Sequence, residues 1–168
     1  MNVGRSETEV VLGIDPGTAI TGYGVVANQG GGAVSLLECG VIRTSAGQAL
    51  PVRIREIYQE IEVLIERFRP SVVSVEDVFQ GKNVRSALTL GHARGAILLA
   101  AALSDITIAE YTPRQIKKAV VGHGGATKGQ VAFMVQKQLR LETPPAPADA
   151  ADGCAAALCY CLIGDMRP

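Results

Sequence analysis

Val10-Val11-Leu12-Gly13-Ile14-Asp15-Pro16-Gly17-Thr18 is the stretch that decides the fold, because the rest of the chain can be interpreted as supplying partners for its carboxylate. Residues 10–14 form a continuous apolar run of strand length, which is typical of a buried central strand. Pro16 and Gly17 then predict a turn. Asp15 should therefore stand at the end of a strand, although Asp-Pro-Gly is also ordinary turn chemistry, because an Asp side chain readily bonds the backbone that follows it.

Three further acids follow structural signals of the same kind. Residues 71–75 lead β-branched side chains directly into Glu76, after Pro70 has ended a helical pattern. Asp149 and Asp152 stand three residues apart at the start of an alanine-rich segment, which puts both on one face of a helix's first turn. Each acid also has an ordinary explanation, since Glu76 suits a solvated strand end and the Asp pair suits a helix start.

Together the four carboxylates carry more information than any one of them. They come from two strand ends and a helix start, and they are the hard oxygen ligands that Mg²⁺ prefers. If they converge, their mutual repulsion requires bound cations, and paired metals are the usual arrangement for phosphodiester hydrolysis. The sequence therefore indicates a candidate metal site.

Eight separate blocks of the sequence form a recognisable series. They are residues 13–18 (GIDPGT), 21–25 (TGYGV), 39–44 (CGVIRT), 81–83 (GKN), 86–88 (SAL), 90–95 (LGHARG), 120–122 (VVG) and 148–152 (ADAAD). In this order the blocks resemble the RuvC family of bacterial Holliday-junction resolvases. The resemblance covers nearly the whole chain after residue 9, and it implies an α/β, RNase H-like fold with a metal-dependent endonuclease site.

Residue by residue, the resemblance places the catalytic, metal-ligating acids of the family on Asp15, Glu76, Asp149 and Asp152. It implies two Mg²⁺ ions per active site, which Mn²⁺ is able to replace. It also implies a crossover junction endodeoxyribonuclease that cuts two opposed strands of four-way junction DNA during recombination and repair. The expected partners are a second copy of the chain and the RuvA-RuvB branch-migration complex, and the expected location is cytoplasmic.

The charge distribution favours nucleic acid as the substrate. The net charge of the 168 residues is zero, but residues 80–140 contain nine Lys or Arg against two acids, a net +7, so the remainder carries −7. Such an asymmetry suggests a polyanion-binding surface beside an acidic region, although the cations could instead be scattered over solvated helix faces. By similarity to the family, the aromatic residue just past Glu76 is expected to stack on an unpaired base. The predicted DNA-binding residues are Phe79, Lys82, Arg85, Arg114, Lys117, Lys118 and Lys128.

The remaining patterns predict a five-stranded mixed sheet, antiparallel in its first three strands and flanked by helices. Residues 112–115 and 127–130 are capping boxes, so helices should begin at Pro113 and Lys128. Residues 1–9 are expected to be a poorly ordered extension, and residues 10–168 a single RNase H-like nuclease domain. The other predicted elements are strands at 10–15, 21–28, 34–44, 71–76 and 107–111 and helices at 51–68 and 84–103.

Several other classes of protein are disfavoured. Four cysteines without a Cys-x-x-Cys pair or a nearby His indicate buried thiols in a reducing compartment rather than a zinc site. Residues 2–9 are too polar for a signal peptide, and the apolar runs 96–103 and 154–163 are too short to span a bilayer, so no membrane association is expected. The loop at 122–126 lacks the Gly and the Ser or Thr that a P-loop needs around Lys128.

Two alternative functions and one open question about the interface remain. Residues 13–18 also look like the first phosphate loop of actin- and sugar-kinase-like phosphotransferases, but such enzymes need a second domain. A non-catalytic branched-DNA binding module could share the fold. The helix at 84–103 is the predicted dimer interface, because its apolar content exceeds one core-facing stripe, although it could simply be buried in the monomer. The residues expected to permit close approach there are Ala93, Gly95, Ala96, Ala100 and Ala101.

Overall fold

A computed structural model describes residues 8–77 and 83–163. Its strands are β1 (Glu9–Asp15), β2 (Ile20–Asn28), β3 (Val34–Arg43), β4 (Val72–Glu76) and β5 (Thr107–Tyr111). Its helices are α1 (Leu50–Phe68), α2 (Val84–Leu103), α3 (Pro113–Val121), α4 (Lys128–Gln138) and α5 (Ala148–Ile163). The strands form one sheet in the order β3-β2-β1-β4-β5. The predicted five-stranded mixed sheet is confirmed, and the five strands, α1 and α2 lie within one residue of the predicted bounds. Helices α3 and α4 begin at the predicted residues.

β1 is the central strand of the sheet. It pairs antiparallel with β2 and parallel with β4, while β3 continues the antiparallel half and β5 the parallel half. Strand β1 begins at Glu9, one residue earlier than predicted, and the Glu9 carboxylate accepts hydrogen bonds from Ser71 and Tyr160. Residues 11–14 of β1 are buried, and burial on both faces of the strand explains why this run is continuously apolar rather than alternating.

The two faces of the sheet carry separate apolar cores. Val11 and Val72 pack towards α3, α4 and α5, whereas Leu12 and Val73 pack towards α1 and α2. Because successive strand residues point to opposite faces, Asp15 and Glu76 must lie on the side of α5.

Local signals in the sequence set the ends of the helices. The Thr112 and Thr127 hydroxyls accept hydrogen bonds from the backbone N–H groups of Gln115 and Gln130, and both predicted capping boxes are complete. In α1 the three-four apolar spacing is confirmed, because the residues that carry it are buried against the sheet and α2. They include Ile57, Ile61, Leu64 and Ile65.

Helix α2 is partly a core helix and partly an exposed apolar surface. Four of the five small residues predicted to face a partner, Ala93, Ala96, Ala100 and Ala101, are instead buried within the monomer. Three of them, Ala93, Ala100 and Ala101, share an apolar core with the large side chains of α1. Of the five, only Gly95 is exposed. The opposite side of the helix exposes large apolar residues instead: Val84, Leu88, Leu99 and Leu103.

By length and composition, α2 is also the one helix in residues 8–77 and 83–163 that is long and apolar enough to cross a membrane. Its most apolar window of 18 residues has a mean hydropathy of 1.4, and 28% of that window is buried. A single helix of this kind is weak evidence for a membrane span, because a core or interface helix passes the same test.

Candidate metal centre

Two neighbouring parallel strands deliver the first two acids of the centre. Ile14 of β1 pairs with Val75 of β4, so the next residues, Asp15 and Glu76, leave the sheet side by side. The face of β4 that carries Glu76 is held against α5 by Ser74, whose buried hydroxyl donates to the Ala156 carbonyl at 2.7 Å. The strand ends therefore present both carboxylates to the start of α5.

Helix α5 reaches the centre because glycines let its backbone lie directly on β2. A Cβ atom at Gly22 would overlap the carbonyl of Asp149, and one at Gly153 would lie 2.5 Å from the Cα atom of Tyr23. Real side chains do not approach that closely, so a larger residue at either glycine would move α5 away from the sheet. Small residues thus place Asp149 and Asp152 beside β1.

The predicted acids converge. One carboxylate oxygen from each of Asp15, Asp149 and Asp152 lies within 4.8 Å of the other two. The Asp15 carboxyl donates a hydrogen bond to the carboxylate of Glu76, which brings the fourth acid into the same cluster. Asp15, Glu76 and Asp152 line a cavity of about 320 Å³ that Lys117 also lines.

The electrostatics of this cluster fit a divalent cation. Burial, followed by the hydrogen bond and charge of Glu76, raises the pKa of Asp15 from 3.8 to about 9. Burial is also the largest cause that raises the pKa of Glu76. Carboxylates that repel one another in a desolvated site, with hard oxygen donors at metal-binding spacing, are stabilised in their charged forms by Mg²⁺ or a similar ion.

Two lysines stand at the edge of the acidic cavity. The Nζ atom of Lys128 donates to Asp152 at 3.1 Å, and this hydrogen bond is the main cause that raises the pKa of Lys128. The side chain of Lys128 is 77% exposed, so most of it faces solvent above the acids. Lys117 is half-buried in the cavity wall, where its charge lowers the pKa of Glu76. Both are placed to meet an anion that enters the cavity.

The other predicted DNA-binding residues are distributed more widely. Arg114 is exposed in the first turn of α3, and Lys118 is exposed outside the cavity lining. Arg85 lies at the start of α2, which covers the other face of the sheet. Phe79 and Lys82 lie outside the described residues.

An ion-pair cluster next to the acids was not predicted from the sequence. Arg94 of α2 pairs with Asp77 and Glu110, and Asp77 immediately follows Glu76. The backbone N–H of Asp77 also donates to the Tyr111 carbonyl at 2.7 Å. These contacts hold the chain as it leaves β4. Residues 16 or more apart carry no local pattern that would have revealed the pairing.

Comparison with known proteins agrees with this geometry. The family model described as crossover junction endodeoxyribonuclease RuvC matches residues 11–160. The chain belongs to the RuvC family. RuvC of Syntrophomonas wolfei subsp. wolfei is 47% identical over 150 residues, covering 89% of this chain and 87% of that protein. RuvC of Pelotomaculum thermopropionicum is 48% identical over 151 residues, covering 90% and 92%. The resemblance noted in the sequence blocks is therefore confirmed.

Solved structures of the RuvC family share the fold throughout. Thermus thermophilus RuvC in complex with Holliday junction substrate superposes with a TM-score of 0.89 at 38% identity, covering 94% of this chain and 96% of that chain. The structure of T. thermophilus RuvC gives a TM-score of 0.86 at 39% identity, with the same coverage. The yeast mitochondrial Holliday junction resolvase Ydc2, at 15% identity and a TM-score of 0.66, shares the fold alone.

Proposed function

We infer that this member of the RuvC family is a crossover junction endodeoxyribonuclease, which resolves Holliday junctions by hydrolysing phosphodiesters in two opposed strands during recombination and repair. The observation that carries this inference is the convergence of Asp15, Asp149 and Asp152 within 4.8 Å, with Glu76 bonded to Asp15. The family match supplies the substrate class, since one relative of the same fold is solved with Holliday junction substrate.

Asp15, Glu76, Asp149 and Asp152 would hold two Mg²⁺ ions, and Mn²⁺ would serve in their place. When bound, such paired cations supply an activated water and stabilise the departing oxygen of the phosphodiester. The protein contributes ligand positions that do not need to rearrange: Asp15 and Glu76 stand on two paired strands, and the Asp pair stands on a helix that rests on the same sheet. Preorganised ligands of this kind reduce the cost of reaching the transition state.

Lys117 and Lys128 are proposed to guide the DNA strand into the cavity. The Lys128 ammonium holds Asp152 in one orientation and keeps its remaining N–H groups for a phosphate oxygen. Lys117 adds positive charge on the wall beside Glu76. Arg114 and Lys118 would extend the phosphate contacts along α3, and the roles of Phe79 and Lys82 stay predictions.

Both alternative functions are less well supported than the resolvase. A non-catalytic branched-DNA module has no need to gather four acids and to bury two of them, Asp15 and Glu76, because burial of a carboxylate costs stability. A phosphotransferase of the actin type needs a second domain. Residues 8–77 and 83–163 form a single sheet with its covering helices, and no second domain lies within that part of the chain.

A homodimer is proposed to use the exposed side of α2 together with α1. Leu99 and Leu103 of α2 line an apolar cavity of about 750 Å³ with Leu50, Ile54 and Tyr58 of α1. Leu99 is 52% exposed and Leu103 66%, which is unusual for two large apolar side chains next to one another. A second copy that covers this surface would give a C₂ pair with one metal centre for each of the two strands to be cut. The RuvA-RuvB complex as a partner and a cytoplasmic location stay predictions.

The experiment that tests the function is cleavage of a four-way junction with and without Mg²⁺. Asp15→Asn should abolish cleavage while junction binding survives, because the amide keeps the shape of the side chain but removes a charged metal ligand. Asp105→Asn, an exposed Asp between α2 and β5, is the matched control and should cleave like the wild type. Normal cleavage by Asp15→Asn, or loss of cleavage in both variants, would contradict the assignment of the centre.

The dimer is tested separately, by analytical ultracentrifugation. Leu99→Asp should give a monomer, because it places a charge in the proposed interface, whereas Leu162→Asp on α5 should not change the sedimentation. Mixed dimers of wild-type and Asp15→Asn subunits should nick one strand of a junction without resolving it. A wild-type monomer at micromolar concentration, both free and on junction DNA, would refute the dimer.

A further inference from the structure

A second concave site of about 380 Å³ lies between α1, α2 and the turn that follows β1. We propose that the two arginines which converge there bind a backbone phosphate of the junction DNA other than the one that is cut. This inference rests on the proposed function, because the ligand belongs to the same DNA substrate. The lining residues are Thr18, Ala19, Arg53, Arg85, Ser86 and Thr89.

The positive charge of this site favours the binding of an anion. Arg53 belongs to α1 and Arg85 to α2, so the fold rather than chain proximity brings the two cations together. Within residues 8–77 and 83–163, no acid lines the site. Among the described residues, neither arginine takes part in an ion pair. Two guanidinium groups in one concavity repel each other, and a phosphate with several acceptor oxygens offsets that repulsion while matching the planar fork of each arginine.

The guanidinium of Arg53 is already oriented in the structure. Its Nε–H donates to the hydroxyl oxygen of Thr44 at 2.9 Å, and the Thr44 hydroxyl in turn donates to the Thr18 carbonyl at 2.5 Å. These two hydrogen bonds connect the Nε atom of Arg53 to the turn after β1. The two terminal nitrogens of the group then remain for a ligand, and less side-chain entropy is lost when the ligand binds.

The site depends on side chains rather than on the helix terminus. The Asn83 side chain already accepts hydrogen bonds from the backbone N–H groups of Arg85 and Ser86, at 3.0 and 3.3 Å. Those N–H groups are therefore occupied. The donors that line the site for a phosphate are the two guanidinium groups and the hydroxyls of Thr18 and Ser86, since the Thr89 hydroxyl donates to the Arg85 carbonyl.

The site and the metal centre lie on different faces of the sheet, so the phosphate bound here is not the one that is cut. Asp15 faces α5, whereas Arg53 and Arg85 belong to the helices that cover the opposite face of the sheet. The turn at residues 16–19 joins the two sites at the same edge of the sheet, since Thr18 is only three residues beyond Asp15. A DNA strand that passes this edge would contact both.

The test combines protein variants with junctions that carry a single neutral methylphosphonate at successive backbone positions. At fixed salt, Arg53→Gln and Arg53→Lys should each weaken junction binding about tenfold, because lysine keeps the charge but loses the bidentate fork. Arg140→Gln changes the charge equally at an exposed position two residues beyond α4, and should change affinity less than about twofold. A methylphosphonate at one position away from the scissile phosphate should weaken binding by the wild type by a similar factor. The same methylphosphonate should not weaken binding by Arg53→Gln any further, because the contact is already lost.

Arg85→Gln keeps the proposal testable if Arg53 variants fail to fold, because Arg85 is exposed and should lose affinity at the same methylphosphonate position. The phosphate site would be overturned if Arg53→Gln and Arg85→Gln bound the junction with unchanged affinity, or if Arg53→Lys bound it with full affinity. The proposed function would still stand in that case, provided that the wild-type protein cleaves the junction. A wild-type protein that neither binds nor cuts a junction would overturn both.

Discussion

Replacing Asp15 by Asn should make the protein more stable when divalent cations are removed, even though the same change removes a metal ligand. Burial and Glu76 raise the pKa of Asp15 from 3.8 to about 9 in the folded state. A carboxyl with a raised pKa contributes stability that is complete below the unfolded pKa and is lost as the pH rises through the folded pKa. An Asn side chain does not titrate, and its N–H group is still able to donate to Glu76.

The expected difference follows from the window between the two pKa values of Asp15. Within that window the wild type loses about 1.4 kcal/mol of stability per pH unit for each proton that the folded state retains. Between about pH 6 and pH 8, the wild type should therefore lose about 3 kcal/mol relative to Asp15→Asn, or roughly 5–10 °C in melting temperature for a chain of this size.

The assay is thermal unfolding in EDTA across this pH range, repeated with Mg²⁺. Mg²⁺ should raise the melting temperature of the wild type, because the ion binds only the folded state, and should raise that of Asp15→Asn much less. Asp105→Asn is the control and should follow the wild type in both conditions. Parallel pH profiles for wild type and Asp15→Asn would show that folding does not raise the pKa of Asp15. Equal stabilisation of both proteins by Mg²⁺ would show that Asp15 is not a ligand.

Two further predictions concern DNA binding and packing. Lys128→Ala should reduce the slope of log affinity for junction DNA against log salt concentration by about one unit, because one phosphate contact is lost, and an unchanged slope would move that contact elsewhere. Gly153→Ala should lower the free energy of unfolding by about 3 kcal/mol or more, because the added Cβ atom meets the backbone of Tyr23. The control Gly91→Ala, on the open side of α2, should be neutral or slightly stabilising. Equal effects of the two substitutions in urea unfolding would contradict the packing of α5 on β2.

Much of this protein follows from local sequence. The apolar run before Asp15, the three-four spacing in α1 and the capping boxes at Thr112 and Thr127 each act within a few residues, so the elements are readable from the chain alone. The candidate acids were readable for the same reason, because each ends a strand or begins a helix. The resemblance to RuvC added the expectation that they belong to one site.

Tertiary structure alone decided how those acids meet. Their convergence depends on the parallel pairing of β1 with β4 and on glycines such as Gly22 that let α5 touch the sheet, and such contacts join residues far apart in sequence. The same reason hid the pairing of Arg94 with Asp77. It also explains why four of the five small residues of α2 were wrongly expected to face a partner: a nearly all-apolar helix has too little periodicity to show which face its neighbours will cover.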